Sequence, residues 1–251
     1  MISKNKIKLI NSLSIKKFRD ETGLFVAEGT KLVLDLSSAY DCEILIATRE
    51  WISTRQPIKS KELIECEFNE LKKISNQKSP QGVIAVFKRQ ENDWSMDKIK
   101  NNLNLVLDDI QDPGNLGTII RIADWFGISN VFCSKYTTDA YNPKTVQSSM
   151  GALARVSIHV VDIMDFLTVI KKASVPIYGT FMNGNNIYKE QLSSCGILIM
   201  GNEGNGISPE IESFVDTKLF IPNFPKGTNT SESLNVSVAT ALVCAEFRRR
   251  L

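Results

Sequence analysis

Apolar and polar positions divide the first part of the chain into short alternating helices and strands. Apolar residues recur at helical spacing over residues 3–19, and Thr30 can cap a helix that carries a run of aliphatic residues. A further helix is predicted near residues 67–74. Strand-like runs lie at 24–27, 43–48 and 82–87. This part is predicted to be a small α/β domain over residues 1–90, followed by a polar linker with a short helix at 91–102.

The second part, residues 103–251, alternates more regularly. Its first strand, 103–107, is apolar enough, with Asn104 as its one polar residue, to be a parallel strand that is covered on both faces. Helices are predicted at 116–126, at 143–150 and from about Ser233 onward, the last with Leu234, Val238 and Leu242 on one face. The other strands are predicted at 130–133, 156–160, 177–180, 196–200 and 218–221. Strands that alternate with helices indicate an α/β fold with a mostly parallel sheet.

Composition and charge narrow the function only a little. The chain is 43% hydrophobic and 23% charged, and its net charge of +2 permits a nucleic-acid partner without arguing for one. Residues 1–19 hold six basic residues and no acidic one. A solvated helix face and an RNA contact explain this segment equally well. No apolar run reaches the length of a membrane span and no signal peptide is visible, so a cytoplasmic location is predicted.

Histidine and cysteine usage argues against several kinds of chemistry. The five cysteines are scattered without a Cys-x-x-Cys spacing, which speaks against a disulfide framework or a zinc site. The single histidine, His159, lies in a strand-like stretch, where a structural role is favoured. The sequence therefore predicts no metal and no imidazole base.

The first candidate segment is a glycine-containing loop at residues 108–117 that follows the buried strand and opens a helix. In open α/β sheets this edge binds ligands. Asn115 at the loop exit and Arg121 in the helix could both face the crevice. A plain interpretation stays open, in which the asparagine caps the helix and Arg121 forms an ion pair with Asp124 or Asp108.

Two further segments follow strands in the same way. The loop that begins at Gly201, Gly-Asn-Glu-Gly-Asn-Gly, is neither a P-loop nor a dinucleotide fingerprint, and a simple tight turn would explain it too. The third segment joins Ile221-Pro222 to Ser233-Leu-Asn-Val-Ser-Val-Ala. There Ser233 fits a helix N-cap and Asn235 a first-turn residue, although both could also face a ligand.

Taken together, the three segments resemble the SpoU (TrmH-like) RNA ribose methyltransferases of the SPOUT superfamily. The resemblance covers about residue 105 to the C-terminus, and it implies a deep trefoil knot in the second domain. Phe25-Val-Ala-Glu-Gly and Ser79-Pro-Gln-Gly also make the first domain similar to the family's RNA-binding domain, which has a ribosomal-protein L30e fold.

The resemblance also implies the chemistry. S-adenosylmethionine would donate a methyl group to a ribose 2′-hydroxyl of ribosomal or transfer RNA, with ribosomal RNA favoured by the extra N-terminal domain. Arg121 would be catalytic, and the set that shapes the site with it is Asn115, Glu203, Ser233 and Asn235. The methyl donor would contact Thr180, Gly201, Ile221 and Leu234. A homodimer would form through residues 116–126 and the last helix. The stretch 223–232 is longer than the family's usual spacing.

Two alternatives stay open at this stage. A non-catalytic RNA-binding protein could retain this fold, although the presence of both Asn115 and Arg121 speaks against it. A nucleotide-dependent metabolic enzyme with a Rossmann sheet is disfavoured, because the glycines stand in the wrong order.

Overall fold

The computed structural model describes residues 2–225 and 233–249. The chain divides into two compact units. The first contains Met1–Glu91 together with Asp139–Arg155, and the second contains Asn92–Thr138 together with Val156–Leu251. Nearly all of the stretch 91–102, predicted to be a linker, belongs to the second unit. Residues 139–155, predicted to belong to the second domain, are part of the first unit.

The first unit holds a four-stranded mixed sheet. Numbered along the chain, its elements are α1 (Lys4–Ser12), α2 (Lys16–Thr22), β1 (Leu24–Glu28), α3 (Thr30–Ser37), β2 (Cys42–Thr48), α4 (Arg49–Ser53), β3 (Ser60–Cys66), α5 (Phe68–Ile74), β4 (Val83–Lys88) and, from the later segment, α8 (Pro143–Ser149) and a short 3-10 helix (Ala152–Ala154). The strand order is β1-β4-β2-β3, and only β2 and β3 run parallel.

Strand β3 was missed in the sequence analysis. Its sequence, Ser-Lys-Glu-Leu-Ile-Glu-Cys, places Leu63 and Ile64 side by side, which hides the alternation typical of a strand. The strand lies at the sheet edge and pairs only with β2, and Leu63 stays exposed there. Backbone pairing, which the side-chain pattern does not reveal, forms this element.

A buried ion pair attaches 139–155 to the first unit. Arg19 is fully buried, and its guanidinium group contacts the Asp139 carboxylate at 2.8 Å and donates to the Leu13 carbonyl at 2.8 Å. The ring of Tyr141 packs 4.8 Å from that of Phe25. Removing one partner of such a buried pair leaves the other charge unpaired, so these contacts fix the segment firmly.

The second unit is built on a six-stranded sheet in which every pairing is parallel. Its elements are α6 (Met96–Lys100), β5 (Leu103–Leu107), α7 (Pro113–Trp125), β6 (Asn130–Cys133), β7 (Ser157–Val160), α9 (Ile163–Lys172), β8 (Ile177–Asn186), β9 (Gly196–Met200), α10 (Pro209–Glu212), β10 (Thr217–Phe220) and α11 (Val236–Arg249). All five residues of β5 are buried, as its apolar sequence predicts. The predicted α/β class with a parallel sheet is confirmed; the knot implied by the resemblance stays a prediction.

The strand order β10-β8-β9-β5-β6-β7 creates a switch point between β5 and β9. After β5 the chain builds outward on one side through β6 and β7, and it then returns to fill the other side. The loops that follow β5 and β9 therefore start from neighbouring strands and lead in different directions. This is the place where open α/β sheets form their ligand crevice.

Helix α11 packs against α7 with a face other than the one singled out in the sequence. Val236, Val243 and Phe247 are buried, whereas Leu234, Val238 and Leu242 are exposed. The helix also begins at Val236 and not near Ser233 as expected. The apolar stripe at 234, 238 and 242 is thus left on the surface.

His159 has the structural role that was favoured. It is buried and stacks on Phe132 at 4.8 Å between ring centres, and its ring nitrogens lie 3.2 Å from the Asn92 carbonyl oxygen and 3.1 Å from Asn130 Oδ1. Burial lowers the pKa of this imidazole. Within the described part of the chain, no helix is long and apolar enough to cross a bilayer, and no cluster of potential metal ligands is found.

Candidate functional site

The loop after β5 positions Asn115 at the start of α7. Asp112 caps this helix, because its Oδ1 accepts the Asn115 backbone N–H at 2.9 Å, and Pro113 occupies the first turn. Asp109 adopts a left-handed conformation with φ of 59°, which is uncommon for a residue other than glycine. The chain turns sharply there, and the N–H groups of Gln111 and Asp112 point toward the loop after β9.

That second loop folds back on itself. Asn202 and Gly206 exchange two backbone hydrogen bonds of 2.9 and 3.0 Å, and Gly206 has φ of +72°. A Cβ atom on Gly201 would lie 2.2 Å from the Gly206 carbonyl carbon. Only glycine fits at residue 201 without moving the backbone. The Asn202 amide also donates to the Asp109 carbonyl at 2.8 Å, which joins the two loops.

Glu203 is held by three donors from the first loop. Its carboxylate accepts the backbone N–H groups of Gln111 at 3.1 Å and Asp112 at 3.2 Å, and the Asn115 side-chain amide at 3.0 Å. Burial raises the pKa of this carboxyl, but the hydrogen bonds lower it by more, so its pKa lies below the ordinary value. Glu203 is therefore an anion at neutral pH.

Asn115 extends this arrangement to the last helix. Its Oδ1 accepts the Asn235 side-chain amide at 3.0 Å. The Asn235 oxygen in turn accepts the Ser237 N–H at 3.0 Å and the Ser237 hydroxyl at 2.6 Å, so Asn235 caps α11. The expected assignment is corrected here, since Asn235 and not Ser233 is the capping residue. We call Glu203, Asn115 and Asn235 the amide–carboxylate network.

A cavity of about 630 Å³ lies beside this network, within the range typical of small-molecule sites. Of the residues singled out in the sequence, six line it: Thr180, Gly201, Glu203, Ile221, Ser233 and Leu234. Met200, Ile207 and Leu219 are among its apolar wall residues. Backbone groups of the glycine loop and apolar side chains thus share the lining. We call this the knot-loop cavity.

Arg121 stands apart from the other candidate residues. It follows Asn115 by six residues, which places it about 9 Å further along the helix axis and about 240° around it. The side chain is exposed, and it makes no hydrogen bond or ion pair with another residue of the described ranges. The ion pair with Asp124 or Asp108 that the sequence left open is not formed.

Asn202 and the backbone N–H groups of Gln111 and Asp112 were not predicted from the sequence to have a role in the site. All three residues lie within the family motifs, but only the fold shows that the loop after β5 and the loop after β9 donate hydrogen bonds to each other. The stretch 226–232, part of the unusually long loop, lies outside the described residues, so its expected departure from the family has no structural counterpart here.

Comparison with known families agrees with this geometry. A model described as the SpoU rRNA Methylase family matches residues 102–245, which hold all three segments and more than half of the chain. The chain belongs to the SpoU rRNA methylase family. A second model, the MRM3-like substrate binding domain, matches residues 4–85. The resemblance inferred from the three motifs is thereby confirmed.

Individual relatives of this SpoU-family chain extend over its whole length. It is 31% identical over 249 residues to the 23S rRNA (guanosine(2553)-2′-O)-methyltransferase RlmP of Bacillus subtilis, with 97% of this chain and 96% of the relative covered. A structure from Porphyromonas gingivalis, described as a candidate RNA methyltransferase of the TrmH family, superposes with a TM-score of 0.91 at 38% identity and full coverage of both chains. An rRNA methyltransferase from Sinorhizobium meliloti with bound AdoMet gives 0.85 at 28% identity, covering 100% of this chain and 97% of that one.

Proposed function

We propose that this protein methylates a ribose 2′-hydroxyl of ribosomal RNA with S-adenosylmethionine. The observation that carries the proposal is the amide–carboxylate network beside the knot-loop cavity, because it joins all three family motifs in one place. The Bacillus subtilis relative, which is named as a 23S rRNA 2′-O-methyltransferase, supports the reaction and the class of RNA. The match of residues 4–85 to a substrate binding domain supports RNA binding by the first unit.

The knot-loop cavity fits the methyl donor. Gly201 lines the cavity, and its lack of a Cβ lets the loop fold back against the Gly206 backbone, which holds the loop backbone at the cavity wall. Thr180, Ile221 and Leu234 complete a mostly apolar wall. The donor supplies an already activated methyl group, so alignment of the acceptor could account for much of the rate, up to about 7–11 kcal/mol in ideal geometry. Glu203 and Ser233 line the same space and would orient the reactants.

Arg121 is proposed to act on the RNA. A guanidinium keeps its proton at neutral pH, so it is a poor base. It is well suited to hold a phosphate and to polarise the attacking hydroxyl, whose proton would leave late. Because the side chain is exposed and has no partner among the described residues, it is available to a substrate without first breaking an ion pair.

A homodimer through α7 and α11 is also proposed. Trp125 at the end of α7 is 84% exposed, and Val238 and Leu242 on α11 and Leu234 just before it are exposed as well; α11 packs against α7. Exposed apolar groups that cluster on one face are typical of an association surface. A cytoplasmic location is proposed as well.

Two measurements test the proposed function. Calorimetric titration should show binding of S-adenosylmethionine and none of NAD. Transfer of a labelled methyl group to unmodified 23S rRNA transcript should follow, and the product should be a 2′-O-methylated nucleotide by mass spectrometry. Binding of RNA without methyl transfer would favour the non-catalytic alternative, and binding of NAD would favour a Rossmann-type enzyme.

A further inference from the structure

A second cavity, of about 460 Å³, lies at the carboxyl ends of β5, β6 and β7. It shares Asn202, Asn205 and Gly206 with the knot-loop cavity, so the two cavities flank the same glycine loop. Its volume falls within the range of small-molecule sites. None of the residues to which the family motifs assign catalysis or donor binding lines it. We call it the β6 cavity.

Asp108 gives this cavity a buried hydrogen-bond acceptor. The residue is only 7% exposed, and its Oδ2 accepts the Ser208 backbone N–H at 2.8 Å. Its Oδ1 has no hydrogen bond to any residue in the described ranges. Asp108 Oδ1 is also in reach of solvent. Among the described residues, the one side-chain polar atom that is both fully buried and without a hydrogen-bond partner is Arg89 Nε, so Asp108 Oδ1 is not fully buried. Asp108 lines the β6 cavity, so this second oxygen is the acceptor that the residue can offer to a ligand there.

Tyr136 adds an aromatic surface. It follows β6, lines the cavity and is 80% exposed, and its backbone is held by the Gln111 side-chain amide at 3.0 Å. A tyrosine left this open offers a flat face on which a planar ring can stack.

The charge of the lining disfavours a phosphate inside the cavity. Asp109, Asp162 and Glu210 line the cavity together with Asp108, against the single cation Lys135, which is itself paired with Asp162 at 3.0 Å. Carboxylates accept hydrogen bonds and cannot donate them. The preferred ligand is therefore a neutral planar group that donates N–H bonds.

We propose that the β6 cavity receives a base of the RNA strand that carries the acceptor ribose, and that it selects guanine over uracil. The Watson–Crick edge of guanine carries two adjacent N–H donors that match carboxylate oxygens, whereas uracil offers one donor between two carbonyl oxygens. Stacking on Tyr136 would hold the ring, and the shared glycine loop would keep the ribose near the methyl donor. This inference rests on the proposed function, because it takes the ligand to be RNA.

The experiment pairs nucleotide binding with methyl transfer. Saturation-transfer NMR on the full chain would compare GMP with UMP, using wild type, Tyr136→Ala and Asp108→Asn. Tyr188→Ala and Asp165→Asn serve as controls in the same unit, since neither residue lines either cavity. We expect a signal for GMP and a weaker one for UMP, and we expect each cavity variant to reduce the GMP signal. Loss of stacking in Tyr136→Ala should also lower kcat/KM on 23S rRNA about 10-fold or more, with the affinity for S-adenosylmethionine unchanged.

The outcomes separate the two proposals. If GMP does not bind, or if it binds equally well to both cavity variants, the base pocket is disproved whether or not the enzyme methylates RNA. If GMP binds in the cavity but wild type transfers no methyl group, the proposed function fails and the pocket stands. Tyr136→Ala changes an exposed side chain, so it keeps the test valid even if Asp108→Asn does not fold.

Discussion

Helix α7 carries two polar side chains in opposite states. At its start, Asn115 is fixed on both sides, by Glu203 at 3.0 Å and by Asn235 at 3.0 Å. Further along, Arg121 is exposed and forms no hydrogen bond or ion pair with another residue of the described ranges. Helix α7 thus carries one side chain, Asn115, that hydrogen bonds fix before a ligand binds, and another, Arg121, that can move to contact a ligand.

The two side chains differ in what they contribute: Asn115 helps to set the geometry of the site, and Arg121 is available to bind a ligand. A network whose members satisfy one another is rigid and costs free energy to disturb, so the Asn115 side of the helix defines the site geometry. An arginine without a partner contributes little to stability, but it can bind an anion without first giving up an ion pair. We therefore expect the two sides to respond differently to substitution, one in stability and activity together and the other in activity alone.

The largest effect on activity is expected at Arg121. Arg121→Ala should lower kcat/KM for RNA at least about 100-fold, the usual cost of losing a donor that stabilises developing charge. The melting temperature and the affinity for S-adenosylmethionine should stay unchanged, because the side chain has no polar partner to lose within residues 2–225 and 233–249. Arg121→Lys should recover little, since an ammonium lacks the planar fork. Exposed Lys172→Ala is the control; near-native turnover in Arg121→Lys would rule out a requirement for the guanidinium.

Glu203→Gln should affect both properties. The amide retains one acceptor oxygen but turns an N–H₂ group toward donors from the first loop, so we expect a loss of about 1–3 kcal/mol in the free energy of unfolding. Activity should fall about 10-fold or more as the loop shifts. Urea unfolding and methyl transfer measure the two, with exposed Glu50→Gln as control. Unchanged stability would show that the network does not hold the loops.

The contribution of Glu203 should also depend on pH. Because its folded-state pKa lies below the ordinary 4.5, the stability it adds is present above that pH and is lost as the pH falls through the lower, folded-state value. The difference in unfolding free energy between wild type and Glu203→Gln should therefore be constant near neutrality and shrink under acid conditions. A difference that grows as the pH falls would contradict the direction of the shift.

Asn235 offers the smallest and most selective change. Asn235→Ala removes the cap of α11 and should cost about 1 kcal/mol, within the range of about 0.5–2 for such caps. Asn235→Ser keeps a capping oxygen but is too short to reach Asn115, so stability should largely recover while activity stays reduced. Equal activity in Asn235→Ser and wild type would show that the hydrogen bond between Asn235 and Asn115 does not contribute to activity.

The sequence predicted the strands and helix α7 of the second unit because their signals are local, but it did not predict α9 or α10. A strand at 103–107 that is apolar except for Asn104 and the helical spacing of apolar residues over 116–126 need no distant partner to be recognised. Strand β3 was missed, because an edge strand with adjacent apolar residues is defined by its pairing with β2 and not by its own pattern. The motifs likewise indicated which residues matter, but not how those residues touch.

Helix α11 shows the same limit. Both of its faces carry apolar residues, so periodicity alone could not decide which face is buried. Packing within the second unit buries Val236, Val243 and Phe247, the last of them against the ring of Tyr178, and leaves Val238 and Leu242 exposed. The covered face follows from the position of α7, which the strand order sets.

For the site on α7, the sequence by itself determined the α/β alternation, the family and the identities of Asn115, Arg121, Glu203 and Asn235, because each is written in a short, continuous motif. Only the tertiary structure decided that Asn115 is held, whereas Arg121 has no hydrogen-bond or ion-pair partner in the described part of the chain. The partners of Asn115 lie 88 and 120 residues away along the chain. Contacts at that separation depend on which strands become neighbours in the sheet, and no local pattern encodes that order.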